Sequence, residues 1–115
     1  MKRKIIEVKS FSKSVDSLLK RKQLLKDDYD AFKKELTNNP EKGDVIVGTG
    51  GVRKIRIKSA SKGKSGGFRI CYYYLTQDEE IYLLLLYAKN EKENLTMDEK
   101  KDLKFFVNEL RGTNA

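Results

Sequence analysis

Hydrophobic positions fall into blocks whose spacing changes along the chain. Ile5, Ile6 and Val8 stand among the lysines of residues 2–9 and predict a short strand. Phe11, Val15, Leu18 and Leu19 recur at helical spacing and predict a helix from Ser12 to about Gln23. Asp27 and Asp28 precede Tyr29, Phe32 and Leu36, with Lys33 and Lys34 further on. Acids first and bases later suit a second helix, which stops at Asn38-Asn39-Pro40. Val45-Ile46-Val47 is a brief apolar run before the loop Gly48-Thr49-Gly50-Gly51. Residues 52–59 alternate as a strand, with Lys54, Arg56 and Lys58 on one face and Arg53, Ile55 and Ile57 on the other. A basic glycine loop, residues 62–67, leads to a strand at 68–75. There Arg69, Cys71 and Tyr73 oppose Phe68, Ile70, Tyr72 and Tyr74. Gln77-Asp78-Glu79 is a hairpin-type connection. Residues 80–88 form a strand apolar on both faces, as expected inside a covered sheet. Thr96-Met97-Asp98-Glu99 reads as a capping box, and Leu103, Phe106, Val107 and Leu110 mark one face of a last helix ending near Gly112. The order is β-α-α-β-β-β-α. This predicts a small α+β sandwich, mainly an antiparallel sheet packed by helices, in one domain over residues 1–115.

Charge changes this picture because it is unevenly placed. The 115 residues carry 25 Lys and Arg against 17 Asp and Glu, a net charge of +8. Residues 45–77 contain no acid and seven bases: Arg53, Lys54, Arg56, Lys58, Lys62, Lys64 and Arg69. Seven of the eight net charges therefore lie in one segment, which also holds six of the eight glycines. Lysines that guard a strand edge against aggregation account for one or two of these bases, not for the loss of every acid. The block reads as a footprint for a polyanion.

Composition narrows the chemistry. There is no His, which removes the commonest general base and the commonest zinc ligand. One cysteine, Cys71, forms no internal disulfide and fits a reducing cytosol. No apolar run is long enough to span a membrane, and the start of the chain lacks the core of a secretory signal, so a cytoplasmic protein is expected. Neither glycine loop has P-loop spacing, and both join strands. Lys54-x-Arg56-x-Lys58 is more specific, since three cations in a row on one strand face cost stability until a counter-charge arrives. Arg69 on the next strand joins them if the pairing is antiparallel and in register. Tyr73 and Tyr87 offer surfaces on which a base stacks, although strand packing explains tyrosines equally well. Cys71 reads as a small core residue. Lys89 beside Glu91 sits where the basic face ends, a fitting place for an acid or base.

GDVIVGTGGVRKIRI, KGKSGGFRICYYY and IYLLLLYAKNEKENLT, in this order and spacing, resemble the HigB-like branch of the RelE toxin superfamily, toxins of bacterial type II toxin–antitoxin systems. The resemblance covers roughly residues 28–110. It implies a RelE-like sandwich and a ribosome-dependent mRNA interferase that cuts mRNA in the ribosomal A site. The implied reaction needs no metal or cofactor: the ribose 2′-OH attacks the adjacent phosphorus in line and the 5′-oxygen leaves. The resemblance places the family's basic strand on Lys54, Arg56 and Lys58, its Gly-x-Arg on Gly67-Phe68-Arg69, and its third-strand end on Lys89-Asn90-Glu91. Asn90 stands where the RelE branch has an arginine, and the region around Thr96 lacks that branch's catalytic tyrosine. Lys54, Lys89, Tyr87 and Glu91 thus all remain candidates for the general base. The expected catalytic set is Lys54, Arg56, Arg69, Lys89 and Tyr87. Arg53, Lys58, Lys62, Lys64 and Tyr73 are the expected RNA contacts. The implied partners are the ribosome with its mRNA and a HigA-like helix-turn-helix antitoxin, through which alone operator DNA would be met. No membrane contact is expected. The competing reading is a basic RNA- or ribosome-binding module without chemistry.

Overall fold

A computed structural model describes residues 2–59 and 64–112, with backbone alone at Lys64 and Ser65. In chain order the elements are strand β1 (Lys4–Glu7), helices α1 (Lys9–Lys20) and α2 (Lys26–Asn38), strands β2 (Asp44–Val45), β3 (Arg53–Arg56), β4 (Phe68–Leu75) and β5 (Glu80–Ala88), and helix α3 (Met97–Arg111). Short 3-10 turns at Lys64–Gly67 and Thr76–Asp78 bracket β4. The sheet order is β1-β5-β4-β3-β2. It is antiparallel except that β1 runs parallel to β5. The α+β sandwich read from the sequence is the observed architecture.

The two sheet faces carry two separate cores. On one, Phe11 and Val15 of α1 and Tyr29, Phe32 and Leu36 of α2 pack against Ile57, Phe68, Ile70, Tyr72, Ile81 and Leu83. On the other, Leu103 and Val107 of α3 pack against Val52, Cys71, Tyr73, Leu75, Leu84 and Tyr87. The alternation in β4 divides its side chains between these layers as the sequence predicts. The Glu7 carboxylate ties the first layer to the sheet edge, accepting from Tyr29 at 2.5 Å and Ser12 at 2.6 Å. The capping box of α3 is formed in both directions, and Gly112 closes that helix in the left-handed region.

Three boundaries differ from the sequence reading. Helix α1 starts at Lys9 and ends at Lys20. There Lys22 takes a left-handed φ of 57°, and the amides of Lys22 and Gln23 fold back onto the carbonyls of Leu19 and Leu18. That turn aims Leu24 into the core. Of the apolar run at residues 45–47, Ile46 packs against the α3-side core while Val45 is exposed and Val47 is 84 % exposed. The loop after β2 lies along α3, with Gly50 beside Val107 and Lys104. Buried Thr49 closes this loop by donating to the Ile46 carbonyl at 2.7 Å and accepting from the Val52 amide at 3.0 Å. Gly51 needs its φ of +117°, and an added Cβ would stand 3.3 Å from the Tyr73 ring. The third difference is β3, which spans four residues rather than eight because its ladder with β4 runs only from Arg53–Tyr72 to Arg56–Arg69.

The 40–43 turn that leads into β2 hangs on one phenol. The Tyr72 hydroxyl donates to the Pro40 carbonyl and accepts from the Gly43 amide, both at 2.8 Å, in a fully buried position. Tyr72→Phe leaves both backbone groups without this partner. We expect it to lower unfolding free energy by about 1–3 kcal/mol in urea titration, with an unchanged m-value.

Candidate functional site

The site is built by parity. In β4, Arg69, Cys71 and Tyr73 lie on the α3 side of the sheet. In β5, simple alternation from Ile81 and Leu83 would send Leu85 and Tyr87 to the α1/α2 side. A bulge prevents this. Tyr72 pairs with Leu83 and Cys71 with Leu85, so Leu84 has no partner on β4. The extra residue reverses the alternation. Leu84, Leu85 and Tyr87 all join the α3-side layer, while Leu86 and Ala88 join the other.

Register then brings the cations together. Arg56 pairs with Arg69, and Arg69 pairs with Tyr87. One step along, Lys54 pairs with Cys71. Directly opposed residues share a face with Cβ atoms about 5 Å apart, and Lys54 and Arg56 are about 7 Å apart along the strand. Lys54, Arg56, Arg69 and Tyr87 therefore form one patch on the α3 side. Arg56 is exposed, and Lys54 and Arg69 are half-buried. Among the described residues no carboxylate forms an ion pair with these three cations, although seven other ion pairs are present. Among the described residues Arg69 hydrogen-bonds only to the carbonyls of Gly66 and Phe68, both at 3.3 Å. Two opposed arginines without a counter-ion repel each other, and a phosphate between them removes that cost.

Tyr87 completes the patch. It is 4 % exposed, and its hydroxyl has no hydrogen-bond partner among the described residues. Burial, chiefly, pushes the phenol pKa above its ordinary value, with the Cys71 sulfur and Glu99 acting the same way and Arg69 opposing. The hydroxyl is therefore protonated at neutral pH and available as a donor. Beneath it, Cys71 is buried and its thiol is pushed up to about 12 by burial, so it is an inert core residue.

The remaining expected residues are placed elsewhere. Arg53 faces the other side, opposite Tyr72. It donates to the carbonyls of Glu41 at 3.0 Å and Gly43 at 2.7 Å and pairs with Glu41 at 3.8 Å, which holds the 41–43 turn. Lys58 lies past the end of β3, 3.9 Å from Glu35 of α2. Tyr73 packs under Gly51 in the α3-side core. Lys89, Asn90 and Glu91 line a cleft on the α1 side with Leu18, Arg21 and Phe68. The Lys89 amide donates to the Gly67 carbonyl at 2.8 Å, and the Glu91 carboxylate accepts from the Ala88 amide at 2.8 Å. Lys62 lies outside the described residues, and of Lys64 only the backbone is described. Among the described residues no cluster of three or more Cys, Asp and Glu side chains is arranged to hold a metal.

Two neighbours of the site were not marked by the basic pattern. The Lys92 ammonium lies 5.4 Å from the centroid of the Tyr87 ring and is ion-paired to Glu99 of the capping box. Chiefly the Lys92 contact, with the Thr96 amide, holds the Glu99 carboxyl below its ordinary range. Lys92 falls in a mixed-charge stretch, and Glu99 is fully accounted for by helix capping. Neither carries a sequence signal for the site.

The fold and patch thus define a small α+β protein whose cationic face has no carboxylate partner, and whose buried phenol beside it has no hydrogen-bond partner, among the described residues. A sequence model of the family described as the RelE toxin of the RelE/RelB toxin–antitoxin system matches residues 3–115. The chain belongs to this family and is a toxin of a toxin–antitoxin system, with an antitoxin as its partner.

Proposed function

We propose that the chain is a HigB-like, ribosome-dependent mRNA endonuclease whose reaction runs on the Lys54, Arg56, Arg69 and Tyr87 patch. The observation that supports this most is the Arg56–Arg69 pair, two opposed guanidinium groups without a carboxylate partner. They fit the non-bridging oxygens of one phosphodiester. As the 2′-OH attacks the phosphorus, charge builds on those oxygens. Arg69, the more buried of the two, stabilises it where water screens least. The protonated Tyr87 hydroxyl lies buried opposite Arg69 and, once the seated strand uncovers it, donates toward the same phosphate or the departing 5′-oxygen. With Tyr87 a donor and Lys89 and Glu91 on the α1-side cleft, Lys54 is the remaining candidate on this face to take the 2′-OH proton. The ribosome presents a single-stranded codon and so supplies the positioning that a shallow patch cannot. A HigA-like antitoxin that covers the patch would silence the enzyme and carry the complex to operator DNA. All of this chemistry belongs in a bacterial cytoplasm, where translating ribosomes are found.

Primer extension on mRNA after a short pulse of expression tests the reading. We expect discrete new 5′ ends inside translated codons, lost when translation is blocked beforehand. Growth arrest without new ends would favour the competing reading, a basic module that obstructs the ribosome without chemistry.

A further inference from the structure

We infer that Lys92, held by Glu99, is a positioning residue that fixes the Tyr87 hydroxyl beside Arg69. This rests on the nuclease reading and extends it to two residues outside the basic segment. The starting point is an unusual freedom. A buried tyrosine is ordinarily fixed by a hydrogen bond of its own hydroxyl. Tyr72 is fixed in that way, by Pro40 and Gly43. Tyr87 has no such bond among the described residues, so its hydroxyl is buried with its donor unused and its ring needs another restraint.

Lys92 supplies that restraint. Its ammonium stands 5.4 Å from the ring centroid, within range of a cation–π contact. It is itself anchored, because Glu99 accepts it while also accepting the Thr96 amide at 2.9 Å. The Glu99 amide in turn donates to the Thr96 hydroxyl at 3.1 Å, so the anchor is the first turn of α3. Leu95, buried in the α3-side core, pins the connecting segment. The contacts run unbroken from the helix cap through Glu99 and Lys92 to the face of the ring. The pair also answers an electrostatic need. Glu99 is the carboxylate whose field reaches the Tyr87 hydroxyl, and unpaired it would repel an incoming phosphate. Lys92 neutralises it.

The test is single-turnover cleavage of mRNA on programmed ribosomes. It compares the full chain with Lys92→Met, Lys92→Arg, Tyr87→Phe, the Lys92→Met/Tyr87→Phe double variant, and Arg69→Ala as control. Lys92→Met should lower the maximal rate about tenfold with half-saturation unchanged. Lys92→Arg, which keeps the cation over the ring, should recover most of the loss. Tyr87→Phe keeps the ring and removes the hydroxyl, so it should cost about a hundredfold. In that background Lys92→Met should cost nothing more, because the group it positions is gone. A wild-type rate for Lys92→Met overturns the inference. So does a weaker half-saturation at unchanged rate, or a full tenfold loss persisting in the Tyr87→Phe background. If Arg69→Ala itself cleaves normally, the nuclease reading of the patch is what fails, and the role of Lys92 falls with it. A dead Arg69→Ala beside an unaffected Lys92→Met removes this inference alone.

Discussion

An Arg69→Ala variant is expected to lose mRNA cleavage on the ribosome by about 10²–10³-fold while remaining folded, the loss typical when one preorganised donor to a developing oxyanion is removed. Arg69 is the centre of the patch by register, opposite Arg56 on β3 and Tyr87 on β5. Its only contacts among the described residues are to two nearby carbonyls at 3.3 Å. Removing it also relieves repulsion with Arg56, so thermal midpoints of variant and parent should agree closely. Arg69→Lys keeps the charge without the planar fork and should recover only part of the rate. Binding to a single-stranded oligoribonucleotide gives an independent check. Three phosphate-contacting cations predict a slope of log affinity against log salt of about −2, and losing one should bring it to about −1.4. A folded Arg69→Ala variant with parental cleavage would take this residue out of the mechanism. An unchanged salt slope would take it out of the binding surface.

How much of this site was legible in the sequence depends on which physical rule set each residue. Lys54, Arg56 and Arg69 could be read because period two holds over short regular strands, and β3 and β4 pair without interruption from Arg53–Tyr72 to Arg56–Arg69. Lys58 and Arg53 show where that rule ends. Period two groups Lys58 with Lys54 and Arg56, but β3 stops at Arg56 and the chain beyond it turns toward Glu35. Arg53 is expected among the RNA contacts, yet a guanidinium facing two open carbonyls of a tight turn is worth more as a brace. The two large strands β4 and β5 and the capped α3 were plain in the pattern because their signals are local. β1 was legible as a strand but its parallel pairing with β5 was not, since pairing partners are fixed by the whole sheet. Lys92 reaches Tyr87 only because the loop after β5 folds back over the strand end, a long-range consequence that spacing does not encode.

Inserting one alanine between Leu86 and Tyr87 should lower cleavage more than about a hundredfold, because Tyr87 works only from the position opposite Arg69. With Leu83 to Leu86 held in register, the alanine takes that position and Tyr87 moves opposite Phe68, on the α1/α2 side. The patch would keep its three cations and lose its donor. Such a shift also places a hydroxyl in an apolar core, so a large loss of stability accompanies it. Deleting Leu84 separates the two effects. It joins Leu83 directly to Leu85, so β5 pairs regularly with β4, Leu85 stays opposite Cys71 and Tyr87 stays opposite Arg69. It removes the packing of a buried leucine, at a cost of about 2–5 kcal/mol, and leaves the facing of Tyr87 as it is. Measured at a temperature where both variants are folded by circular dichroism, the deletion should cleave at close to the parental rate and the insertion should not. The RNA-binding salt slope should be the same for both, since Lys54, Arg56 and Arg69 lie on strands that neither change touches. A folded insertion variant that cleaves like the parent would show that the facing of Tyr87 is not what the reaction needs.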